Sequence, residues 1–167
     1  MAQEAILELE PYNTHTIECY SEGGFFKWSE MVPNLVTDEG AIWILDNAFG
    51  SGMQRDWRAG LVESGTISHE DTMIKHSWSE FVKTTHAARP NLYFGATEPQ
   101  TAAKTYVSAK AGFVVHQAGD ITGSFMVDNS LMGGHMGMLY GITLFDNSHA
   151  VVQGDSLYLV ITLGSKA

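Results

Sequence analysis

The chain has 167 residues and a formal net charge of −10, with 17% of its residues charged and 44% hydrophobic. That length supports one domain that buries roughly 68–70% of the surface its unfolded form exposes, so neither a disulfide nor a metal is needed for folding. The acidic balance disfavours sequence-independent binding to nucleic-acid backbones and attraction to anionic membranes.

Residues 1–10 carry Glu4, Glu8 and Glu10 and no Lys or Arg, unlike the basic start of a signal peptide. No window approaches the ~18 apolar residues of a membrane span. The expectation is a protein that is not secreted and is made or assembled in a cytoplasm. Ala5, Leu7 and Leu9 alternate with glutamates and predict a strand or extended arm ending at Pro11. Thr14 to Tyr20 is a second extended stretch, and Gly23-Gly24 is a turn signal. Phe25, Phe26, Trp28 and Met31 follow as a dense apolar cluster. Such residues are enriched at the cores of protein interfaces, and they serve equally well as cover for a β core. Residues 1–33 thus read as an N-terminal arm or as first strands, ahead of a main domain at 34–167.

Thr37 to Phe49 is the clearest helix. Thr37 can cap it, Asp38 and Glu39 suit the positive end of its dipole, and Gly50 stops it. Ala41, Ile42, Leu45, Ala48 and Phe49 recur at helical spacing and are expected to face a core. Trp57 to Val62 reads as a strand. Ser68 to Asp71 resembles a capping box, and a short helix or turn through Met73 and Ile74 could follow it. Phe81-Val82 and Leu92 to Phe94 are further strand candidates.

From Thr105 the pattern is plainly β. Tyr106-Val107, Gly112 to His116, Ile121 to Val127, Leu139 to Phe145 and Ser156 to Leu163 are five strand-like runs. They are separated by turn residues at 118–120, 128–129, 146–147 and 153–155. The last run carries apolar groups on both faces, which suits an inner strand. The fold expected is a single-domain antiparallel β-sandwich, jelly-roll-like or immunoglobulin-like, with one short helix near 38–49.

The search for chemistry finds little. The only cysteine, Cys19, has no nearby Lys or Arg in sequence to activate it and reads as a small buried side chain. Among seven histidines, His69 and His76 stand two helical turns apart, without the three- or four-residue spacing of characteristic zinc pairs. There is no Gly-x-Ser-x-Gly elbow and no phosphate-cradling glycine loop, and the acidic residues form no recognisable catalytic pair. No catalytic residue, cofactor or metal site is therefore expected. Leu131 to Met138 is a hairpin loop with Met132, Met136 and Met138 among three glycines. Met adapts to irregular surfaces, so the loop either meets a partner or folds back on its own core.

The order Asn34 to Asp46, Trp57 to Leu61, Asp71 to Met73, Trp78 to Glu80, Arg89-Pro90, Phe94 to Ala96, Gly119 to Phe125, Gly141 to Phe145 and Val151 to Leu157 resembles a family of small β-rich virion proteins of tailed bacteriophages. The resemblance spans roughly residues 34–163 and rests on the order of several short motifs. It implies a non-enzymatic structural protein of the virion, foremost a capsid decoration (cement) protein. Its partners would be the major capsid protein and copies of itself as a homo-oligomer on the particle, with no nucleic acid and no membrane. Leu7, Leu9, Phe25, Phe26, Trp28, Met31, Met132, Met136 and Met138 are the expected interaction residues. Two alternatives stand beside it: a neck or tail component such as an adaptor or fibre subunit, and a glycan-binding β-sandwich with Trp28, Trp57 or Trp78 as a stacking platform.

Overall fold

The computed structural model describes residues 10–50, 55–95, 98–101 and 104–166. Among these residues, ten strands and one helix follow in chain order: β1 (Glu10–Tyr20), β2 (Phe26–Pro33), β3 (Leu35–Val36), α1 (Asp38–Phe49), β4 (Arg58–Thr66), β5 (Ser77–Glu80), β6 (Glu98–Thr101), β7 (Lys104–Val114), β8 (Gly119–Val127), β9 (Leu139–Val151) and β10 (Ser156–Lys166). They form two five-stranded antiparallel sheets, ordered β2-β1-β10-β7-β6 and β3-β9-β8-β4-β5. The mainly β, single-domain sandwich expected from the sequence is what the chain forms.

Residues 10–33 are first strands, not an arm. β1 pairs along its whole length with β10, from Glu10 opposite Lys166 to Tyr20 opposite Ser156, and its other edge carries β2. Ile17 and Cys19 of β1 share one apolar core with Leu157, Leu159 and Ile161 of β10 and with Leu61, Ile121 and Met126 of the facing sheet. The proposed strand at Ala5 to Leu9 lies outside the described residues.

The β3–β9–β8–β4–β5 sheet is covered on both faces. Its outer face carries a second cluster of Val62, Trp78, Phe125, Val127, Leu139 and Ile142, closed over by Met73 and Ile67. That cover is the 67–76 segment, where a helix or turn was expected. Ser68 and Asp71 do exchange hydrogen bonds: Ser68 N–H donates to Asp71 Oδ2 at 3.0 Å, and Asp71 N–H donates to Ser68 O at 3.1 Å. They close a turn and start no helix, because Met73 is drawn onto the sheet.

Three other expectations shift. Tyr106-Val107 and Gly112 to His116 fall largely on one continuous strand, β7. Leu92 to Phe94 forms no strand; an isolated bridge joins neighbouring Asn91 to Arg58. Asp146-Asn147 is no turn. β9 runs on to Val151, and its register against β8 jumps from Leu144 opposite Gly123 to His149 opposite Ile121. The residues between bulge out of the ladder, and Glu30 of edge strand β2 fastens them. Its carboxylate accepts from Asp146 N–H and lies 2.5 Å from His149 Nε2.

The helix is capped as expected: Thr37 Oγ1 accepts from Gly40 N–H at 3.1 Å, and Gly50 N–H donates to Asp46 O at 2.9 Å. Its contact face is not the expected one. Ala41, Ile42 and Leu45 are exposed, and the side chains of Ala48 and Phe49 lie outside what is described. The helix docks through a narrow line of Gly40 and Trp43. Thr37 Oγ1 donates to Leu139 O, Glu39 accepts from Leu139 N–H at 3.0 Å, and Trp43 packs edge-on to Trp57 and Tyr140. Gly40 is what permits this approach, since a Cβ there would stand 2.0 Å from Tyr140 O. Replacing glycine by alanine inside a helix ordinarily stabilises by about 0.5–1 kcal/mol. Here Gly40→Ala is expected to destabilise by about 1–3 kcal/mol, as overpacking does; a urea midpoint at or above that of the parent chain would refute the docking geometry.

Candidate interaction surface

The exposed face of α1 is the first component of the site. Ile42 is 60% and Leu45 59% exposed, with Ile44 beside them, while the acidic Asp38, Glu39 and Asp46 lie on the same helix. An isolated helix of three turns gains its stability from packing an apolar face. This one is anchored through its glycine–tryptophan line and its cap, which leaves Ile42 and Leu45 without a partner among the described residues. Contiguous apolar exposure of this kind marks interaction sites.

The tip of the β1–β2 hairpin is the second. A left-handed Gly24 (φ +79°) closes the turn, and Gly24 N–H donates to Ser21 O at 2.8 Å. Phe25 and Phe26 project outward, Phe25 at 75% exposure. On the outer face of the sheet Tyr20 meets both Phe26 and Tyr158 edge-on at 5.8 Å, and Lys110 Nζ sits 4.3 Å from the Tyr158 ring centre. Met31 is exposed on the same edge strand. Trp28 departs from this group. It is half-buried against the core, and its ring stacks on His149 at 3.9 Å.

The glycine–methionine loop between β8 and β9 is the third, and its framework is rigid. Arg89, 1% exposed, donates from Nε and Nη2 to the two carboxylate oxygens of Glu80, each at 2.8 Å. The same guanidinium donates to Asn129 O and Gly134 O, each at 3.0 Å, and Glu80 Oε2 accepts from Gly133 N–H at 2.6 Å. At the far end Asp128 Oδ1 accepts from Met138 N–H at 2.6 Å. Gly133 and Gly137 supply the left-handed bends (φ +71° and +101°) that this path requires. The three methionines separate. Met138 packs on the core, Met132 is half-buried with its sulfur 3.8 Å from Thr84 Oγ1, and only Met136 joins Leu131 at the exposed tip. Leu7 and Leu9 lie outside the described residues.

Sequence reasoning missed an aromatic cleft. A space of about 430 Å³ opens between α1, the 55–57 segment and the 91–94 segment, lined by Trp43, Trp57, Tyr93 and Phe94 together with Asn47 and Asn91. Tyr93 is largely exposed, while Trp57 is nearly buried and shows the cleft little surface. The signal was split over three separate stretches of chain, so periodicity could not join it. Trp78, the remaining proposed platform, is buried in the second cluster.

Burial, with the charge of Asp155 adding to it, pushes the Cys19 thiol up to about 11, so it is no nucleophile at neutral pH. Burial pushes the Tyr140 hydroxyl up to about 12. His69 sits 3.1 Å from Asp38 at the start of α1, and no three metal-ligating His, Cys, Asp or Glu side chains converge among the described residues. No helix among them is long and apolar enough to cross a membrane. Compared with family models, with curated proteins and with solved structures, the chain matches none.

Proposed function

We propose that this chain is a non-enzymatic structural protein of a tailed-bacteriophage virion that decorates the capsid, binding the major capsid protein and sister copies to stabilise the shell. The observation that carries the reading is the exposed apolar pair Ile42 and Leu45 on α1, which has no partner among the described residues and is held on a docked helix. The exposed hairpin tip at Phe25-Phe26 and the loop tip at Leu131 and Met136 add two more apolar contacts. Repeated copies on a symmetric shell multiply the effect of each modest contact. The charge of −10 suits the outside of a DNA-filled particle, and the ordered motif series supplies the virion context.

Copy number in purified particles tests the reading. A ratio to the major capsid protein of one, or a simple fraction of it, supports decoration. A ratio of a few per cent favours a neck or tail component, and absence from particles overturns the virion reading. The contact surface has its own test. Ile42→Ser with Leu45→Ser replaces exposed side chains, for which stability changes stay within about 0.5 kcal/mol each. The pair is expected to leave the melting temperature of the free protein nearly unchanged and to abolish incorporation into particles. Normal incorporation would remove α1 from the interface.

The aromatic cleft favours a second reading, a glycan-binding module. Exposed rings beside planar amides suit a sugar's apolar face and its hydroxyls, and Tyr93, Phe94, Asn47 and Asn91 present that combination. A shift of tryptophan fluorescence on adding sugars, lost in Tyr93→Ala, would support it; no response across a broad glycan panel would dismiss it.

A further inference from the structure

His76, which precedes β5, and His135, at the tip of the glycine–methionine loop, lie 59 residues apart in sequence and meet in space. His135 Nδ1 is 3.3 Å from His76 Nε2, and the two rings are inclined by only 24° with centres 5.4 Å apart. The two nitrogens therefore face each other nearly in the plane of both rings, one donating to the other, and an ion bound to both takes the place of that proton, which is released to solvent. Two imidazole nitrogens bound to one tetrahedral ion at 2.0–2.1 Å are about 3.3–3.4 Å apart. The observed gap matches that separation.

Both rings are held in place. His76 stacks on Trp78 at 4.0 Å, and Trp78 is itself buried in the second cluster. His135 is carried by the loop that the buried Arg89–Glu80 pair pins at Asn129, Gly133 and Gly134. Ligand side chains held in place by packed and hydrogen-bonded neighbours are what a metal site requires. The pair borders an open cleft of about 310 Å³, and His135 is exposed, so an ion on the two nitrogens retains room for water ligands. Glu80 is committed to Arg89 and Gly133 and supplies no further ligand.

We propose that His76 and His135 form a two-imidazole binding site for a borderline divalent transition ion of the zinc, nickel or copper(II) class, completed by water. Imidazole nitrogen is a preferred ligand of these ions, whereas calcium and magnesium take oxygen. With two protein ligands instead of the usual three or four, the site binds more weakly than a structural zinc centre and exchanges its ion. The proposal is independent of the virion reading.

The test is titration of the purified 167-residue chain with Zn²⁺ by calorimetry in a non-chelating buffer, with thermal melts alongside. The parent chain is expected to take up one Zn²⁺ with a rise in melting temperature. His135→Gln and His76→Gln should each weaken binding at least tenfold, as loss of a direct ligand exceeds the 10–100-fold cost of losing an outer-shell partner. His69→Gln, whose ring lies against Asp38 and not against the pair, should bind as the parent does. His135 is exposed, so His135→Gln keeps the metal-free melting temperature and the result does not depend on how well His76→Gln folds. Absence of uptake at millimolar Zn²⁺ would overturn the site and leave a proton shared between two imidazoles as the reason for the contact. Equal affinity in His135→Gln and the parent would overturn it as well.

Discussion

Arg89→Met is expected to destabilise the fold by about 3–5 kcal/mol, the usual cost of removing one partner of a buried ion pair. A domain of 150–250 residues loses roughly 2–4 °C per kcal/mol, so the melting temperature should fall by about 10 °C or more. The effect is large because the pair is desolvated: the side chains of Arg89 and Glu80 are 0% and 6% exposed. Methionine fills much of the arginine's aliphatic volume, so the loss is one of charge and hydrogen bonds. Glu80 would be left charged in an apolar setting beside Phe125, over whose ring the guanidinium carbon now sits at 5.3 Å. The carbonyls of Asn129 and Gly134 would lose a donor too, so amide exchange should quicken through residues 129–134 beyond what global destabilisation explains. Arg89→Met with Glu80→Leu removes both charges and should recover a large part of the loss, as buried pairs replaced whole often do. A single variant that melts within a degree or two of the parent would show that the loop's framework lies elsewhere.

The same pair illustrates what could be read from the sequence. Trp78-Ser-Glu80 and Arg89-Pro90 stood out as members of a motif series, yet nothing in their spacing pointed to a clamp. A bidentate contact across nine residues of irregular chain has no period. Local signals carried well. Thr37, Asp38, Glu39 and Gly50 marked the helix ends that the fold displays, and the strand-like runs located β8, β10 and the start of β9. The helix's orientation did not follow from its pattern. The stripe of Ile42 and Leu45 was the obvious core face, but the close approach needed a residue without a side chain, and Gly40 provides it. Asp146-Asn147 was expected to be a turn between strands, but β9 bulges there and runs on, because a sequence does not distinguish a bulge from a chain reversal. Glu30, 116 residues away, decides it. His76 and His135 went unconnected for the same reason: their meeting depends on two glycine bends and a buried arginine.

Below pH 6.5 the protein is expected to lose stability through a single buried side chain, His15. It lies on the inner face of β1, fully buried, with Nδ1 2.7 Å from Ser124 Oγ of the opposite sheet. Its Nε2 is buried with no hydrogen-bond partner. Burial pushes its pKa from 6.5 down to about 3, because a charged imidazole there would face the core without a counter-ion. The folded state thus keeps His15 neutral where the unfolded chain takes up a proton. Its full contribution is present above about pH 6.5 and declines as the pH falls toward 3. One proton is worth 1.36 kcal/mol per pH unit, so two units below 6.5 this residue alone should remove about 2–3 kcal/mol. Carboxylates and other histidines titrate in the same range, so the prediction is a difference between proteins. His15→Leu with Ser124→Ala replaces the polar contact by an apolar one and leaves no buried donor or acceptor unsatisfied at that point. Urea unfolding at pH 7 and pH 4.5 should show the parent losing about 2–3 kcal/mol more than this double variant. Parallel pH profiles would mean that His15 accepts its proton within the fold, and the close packing of the two sheets around it would then have to yield.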